Sequence, residues 1–145
     1  MTKLPHEVRA RDALALLDLP YSTTFDCGHL VIRAQRELFG LDLALAQQHP
    51  AGRRGQAALL GQLTAELAER VAVPATGDVA LYVQDDADGG WHYHLGVVIM
   101  ELGEAWLLHL PANGRSLLQR ERDARVHGLR LEGYYRPHRE ASHVA

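Results

Sequence analysis

Cysteine is almost missing from this chain: Cys27 is the only one in 145 residues. A lone cysteine makes no intrachain disulfide, so the fold does not depend on oxidation. Aromatic residues are scarce, at 6%, and neither sign of charge dominates, the net charge being -3. That balance gives no global electrostatic footprint for nucleic acid. No apolar run approaches the roughly 20 residues that cross a bilayer, so no membrane insertion is expected. The opening MTKLPHEVRARDALALL has charges spread through it and does not read as a secretory leader. Internal repeats and low-complexity blocks are absent. So are glycine-rich phosphate loops, which leaves nucleotide chemistry without support.

What is present is an ordinary globular composition, 47% apolar and 23% charged. The length suits a single domain, read here as residues 1–136, with 137–145 as a flexible tail. Ala10, Ala13, Leu14 and Leu17 recur at helical spacing, and Pro20 ends that element. A second helix is expected from Cys27 to Phe39, with Asp26 as N-cap and Gly40 as the stop. A third is expected from Gln56 to Val71, after a loop with a basic tip at Arg53 and Arg54. The second half changes period. GDVALYVQD alternates as a strand, DADGG is a turn, and WHYHLGVVIMELGEAWLLHLP reads as a hairpin turning at Leu102 and Gly103. NGRS is another turn, and RLEGYYR is a last strand. The segment RSLLQRERDAR reads as a solvated face or an assembly interface. Helices first and strands after predict an α+β fold, with N-terminal helices packed on an antiparallel sheet.

Cys27 has two readings. It continues the apolar stripe of Leu30, Val31, Ala34 and Leu38, as a buried thiol would. It also falls in the first turn of its helix, where free N–H groups and the macrodipole favour a thiolate. Gly28 beside it leaves a backbone N–H open to a substrate carbonyl. The sheet offers a partner. His92 and His94 point to one face of their strand, and an even-numbered turn at Leu102–Gly103 sets Gly96 opposite His109. His94 and His109 then become diagonal neighbours on one face, as a nucleophile–base–orienter triad needs. A slip of one residue would put them on opposite faces. The same residues allow another alternative, a zinc site built from His92, His94, His109 and Cys27.

FDCGHLV, RELFG, HYHLGVVI and WLLHLPANG together resemble the NlpC family of cell-wall cysteine peptidases, and most closely its bacteriophage tail-assembly and tail-tip branch. GYYR near the C-terminus is similar to that branch too. The likeness extends over roughly residues 15 to 136 and implies a papain-like fold. It implies Cys27 as nucleophile, His94 of His-Leu-Gly as base and His109 as the orienting residue. Gly28 and Tyr21 are implied at the oxyanion. No cofactor or metal is expected. The implied substrate is a peptidoglycan stem peptide, and the implied partners are other tail-tip or baseplate proteins, with no nucleic acid among them. The implied location is the virion tail tip, acting in the host envelope. A second implied role is an idle structural tail-tip subunit that keeps the peptidase fold. The sequence departs from the family pattern at Gly28 and His29, which follow the cysteine where a serine or tryptophan and then a glycine are usual. His92 is an additional histidine next to the base.

Overall fold

The computed structural model describes residues 3–43 and 67–139. Two short 3-10 helices, η1 (Pro5–Glu7) and η2 (Ala10–Leu16), come first, followed by α1 (Cys27–Phe39). Then come strands β1 (Ala68–Val71), β2 (Val79–Asp85), β3 (Trp91–Glu101), β4 (Glu104–His109) and β5 (Leu117–Arg120). The short helix α2 (Glu121–Val126) leads into β6 (Leu129–Pro137). The six strands form one antiparallel sheet in the order β1-β6-β2-β3-β4-β5. The α+β expectation therefore holds for the described residues.

Period-2 alternation gives the sheet two buried faces. Val79 and Leu81 of β2, with Leu95, Val97 and Ile99 of β3, pack against α1 and η2 in the larger core. The intervening Ala80, Tyr82 and Val98 form a smaller core on the other face, beneath Ala124 of α2. Within it the Glu121 carboxylate accepts hydrogen bonds from the hydroxyls of Tyr82, at 2.9 Å, and Tyr134. Those bonds satisfy a buried carboxylate that would otherwise be expensive to desolvate.

Helix α1 forms as its caps and periodicity dictate. Asp26 caps the N-terminus by accepting from the His29 backbone N–H at 3.1 Å, and Gly40 ends the helix in the left-handed region at φ 63°. Leu30, Val31, Ala34 and Leu38 are all buried, as their spacing requires. The N-terminal segment departs from expectation. It is a 3-10 helix, and its buried residues are Ala13 and Leu16, three apart, while Leu14 lies exposed. Three residues per turn puts every third side chain inward, whereas 3.6 per turn would have buried Leu14 or Leu17 with Ala13.

Two further corrections fall in the second half. Ala68–Val71, read as the end of a helix from Gln56, is a strand paired with β6; residues 56–66 of that expected helix lie outside the described residues, as do Arg53 and Arg54. RSLLQRERDAR is only in part a solvated face: it contains β5 and α2 and buries Ser116, Glu121 and Ala124, while Arg115, Arg120, Arg122, Asp123 and Arg125 are exposed. The start of the expected flexible tail is also engaged, since Pro137 pairs with Ala68 and the His138 N–H donates to the Leu67 carbonyl at 2.9 Å.

Gly96 lets β3 and β4 approach on the second face. A Cβ there would lie 2.4 Å from Leu107 Cδ1 and 3.1 Å from the Leu108 carbonyl oxygen. Gly96→Ala is therefore expected to lower unfolding stability by about 1–3 kcal/mol, read by urea titration. Trimming Leu107 to Ala in the same chain should recover part of that loss relative to the sum of the single variants. Simple additivity of the two would show that the strands do not meet there.

Candidate active site

The site begins with the hairpin register. Gly96 lies opposite His109, so His94, two residues earlier, shares a face with His109. The rings meet edge to face, 5.1 Å apart between centroids, with 2.8 Å between His94 Nε2 and His109 Nδ1. Nε2 of His109 continues to Gln119 Oε1 on β5 at 2.7 Å. Both histidines are buried. Burial pushes His94 down to about 3, helped by its neighbours His109 and His92 and opposed by the Asp26 carboxylate. Burial also lowers His109, against the hydrogen bond that its Nε2 donates to Gln119 Oε1, which favours its charged form. Both rings are thus neutral at physiological pH.

Cys27 is the first residue of α1 and keeps some accessible surface while packing against the larger core. The β3–β4 ladder starts at the Gly96–His109 pair, so β3 has no β4 partner at Leu95, and the sulfur lies against the backbone at that point. Burial pushes the thiol up to about 11, the Asp26 carboxylate adding to it. The backbone groups of Leu95, Gly28 and Cys27 act in the opposite sense, as only N–H donors to a thiolate do. The sulfur therefore sits beside the residue that follows His94. No hydrogen bond joins the sulfur to the imidazole among the described residues. Leu95 faces α1 and His94 turns to the second face, so the thiol and the imidazole lie on opposite faces of β3.

The segment leading to Cys27 is tied to the loop that follows His109. Buried Ser116 donates its hydroxyl to the Leu16 carbonyl at 2.7 Å and accepts from the Leu19 N–H at 2.8 Å. Tyr21 donates its N–H to the Gly114 carbonyl at 3.0 Å and packs against the larger core. His29 folds back on the helix start, with Nδ1 2.7 Å from Asp26 Oδ1 and its ring stacked on Phe25. His92 Nδ1 is 2.6 Å from Asp86 Oδ1. That pairing leaves the zinc alternative unassembled: among the described residues, no group of three or more His, Cys, Asp or Glu side chains converges as a metal site.

Sequence reasoning reached Cys27, His94 and His109 but missed Gln119, which sits in a segment read as solvated. The available signal was its alternation with partly buried Leu118, which the charged run from Arg120 onward obscured. No family model matches this chain, and neither the curated proteins nor the solved structures yield a match.

Two measurements check the electrostatics. With its thiol raised to about 11, Cys27 should alkylate with iodoacetamide about tenfold faster per pH unit between pH 7 and 10. A rate that plateaus between pH 5 and 8 would reveal a thiolate–imidazolium pair instead. His94 titrates lower folded than unfolded, so its neutrality stabilises the fold above pH 6.5. That stabilisation is lost as pH falls from 6.5 towards about 3. His94→Asn should flatten this part of the stability profile; an unchanged slope contradicts a buried neutral His94.

Proposed function

We propose that this chain is a thiol peptidase that hydrolyses amide bonds in peptidoglycan stem peptides, built on a papain-like, NlpC-type fold. One observation supports this reading above the others. Cys27 starts a helix beside the strand position that follows His94, and His94 in turn is held by His109. The occupied Nε2 of His94 leaves its Nδ1 for the thiol. In the reaction Nδ1 takes the Cys27 proton as the sulfur attacks the carbonyl carbon and the S–C bond forms. The backbone N–H groups of Cys27 and Gly28 receive the oxyanion. The C–N bond then breaks, the proton passes from His94 to the leaving amine, and water hydrolyses the thioester. A place at a phage tail tip, among other tail-tip or baseplate proteins, follows from the motif resemblance alone.

A second reading, an idle structural tail-tip subunit, is favoured by a different observation. A thiol pushed up to about 11 and an imidazole pushed down to about 3 are both neutral, without the ready-made thiolate of an activated cysteine.

Digestion of purified peptidoglycan, read by mass spectrometry of released muropeptides, decides between them. Wild type should release stem-peptide fragments, and Cys27→Ala should reduce the rate by about 10³-fold or more. Fragments released equally by folded Cys27→Ala would refute the mechanism. No fragments from either folded protein would favour the idle subunit.

A further inference from the structure

We infer that Gln119 is a positioning residue that sets the proton polarity of the two buried histidines, and so decides which nitrogen His94 offers to Cys27. Every link in the chain has one donor and one acceptor. His94 Nε2 meets His109 Nδ1 at 2.8 Å, and His109 Nε2 meets Gln119 Oε1 at 2.7 Å. An amide oxygen only accepts, so His109 Nε2 must carry the proton. His109 is neutral, which leaves its Nδ1 as an acceptor. His94 Nε2 must then donate to it. His94 is neutral as well, so its Nδ1 holds a free lone pair. The acceptor at Gln119 is thereby transmitted through two imidazoles to a base at His94 Nδ1. The reverse polarity, with a donor at position 119, would protonate His109 Nδ1, turn His94 Nε2 into an acceptor and place the His94 proton on Nδ1. That nitrogen could then not deprotonate a thiol.

An amide suits this task better than a carboxylate. It supplies the acceptor without a full negative charge, which would invite a second proton onto His109 and make both its nitrogens donors. Its rigidity has a structural source. Gln119 is on β5, paired directly with Leu107 of β4, two residues before His109. The strand pairing that brings Gln119 to His109 is the same ladder that holds Leu118 opposite Leu108 in the larger core.

The catalytic consequence rests on the peptidase reading; the polarity itself does not. The test is therefore made on the ring nitrogens of the full-length, 15N-labelled protein at pH 7.5, by long-range 15N–1H correlation. Wild type should show His94 and His109 both protonated at Nε2 and bare at Nδ1. Gln119→Lys, whose ammonium only donates, should move both protons to Nδ1. Gln119→Met, which keeps the volume and loses the strong acceptor, should give a measurable Nδ1–H population at His94 that wild type lacks. Thermal melting identifies any variant that has not folded, and Gln119→Met then decides alone. Tautomers unchanged in both folded variants, or a wild-type His94 protonated at Nδ1, would overturn the inference. If wild type cleaves stem peptides, Gln119→Lys should lower kcat by about 10³-fold with little change in KM, as wrong-tautomer variants of other triads do. Reversed tautomers in a protein without peptidase activity would uphold the polarity and refute only the function.

Discussion

The site depends on the register between β3 and β4. A two-residue turn at Leu102 and Gly103 sets it, with both residues at positive φ, 52° and 76°. Such turns match the right-handed twist of the strands they join and fix which residues face each other. From that point Glu101 pairs with Glu104, and the ladder runs without a shift to Gly96 and His109. A slip of one residue would send the His109 ring to the α1 face and separate it from His94. A leucine in the left-handed region is strained by about 1 kcal/mol, and the eleven-residue β3 that it closes holds the turn in place. Leu102 is also almost fully exposed, so the turn gains no burial energy of its own. The ladder behind it fixes the conformation.

The same strand divides its work between its faces. Leu95, Val97 and Ile99 bury against α1, while His94, Gly96 and Val98 look the other way. Burial on the second face is shallow in apolar terms but complete enough to strip water from two imidazoles. Each then needs its hydrogen bonds within the protein, and the His94–His109–Gln119 chain supplies them. Glu121 solves the same problem on that face with the hydroxyls of Tyr82 and Tyr134. The second face is thus a layer of satisfied polar groups set among aliphatic and aromatic side chains, with the short helix α2 packed on it.

Local periodicity made much of this legible in the sequence. Helix α1, from its Asp26 cap to its Gly40 stop, and the β3–β4 hairpin were readable because cap, turn and alternation all sit within a few residues of what they control. From the hairpin followed the pairing of His94 with His109, the part of the site that a single strand could not have revealed. Elements whose stability comes from distant partners were hidden. Ala68–Val71 consists of helix-compatible residues and becomes a strand because β6 offers an edge to pair with. Helix α2 buries a glutamate, which hydrophobic patterning counts as surface, because two tyrosines from β2 and β6 converge on it. Gln119 belongs with these: its role exists only once β5 has paired with β4.

The balance at Cys27 turns on competing effects of unequal size. The helix N-terminus contributes on the order of 0.3–1 kcal/mol to a nearby anion at an exposed site, and three backbone N–H groups add to it. Desolvation works against all of them, with the Asp26 carboxylate on its side, and it wins: the thiol rises instead of falling. Asp26 is in that position because the helix needs an N-cap, and the cap is what places Cys27 at the first turn. The residue that builds the position of the thiol thus also disfavours its charge. His29 softens the conflict by drawing Asp26 Oδ1 into a 2.7 Å contact with its ring. His29 therefore does more than occupy space. It is part of the cap, and its ring lies against the carboxylate that opposes a thiolate at Cys27.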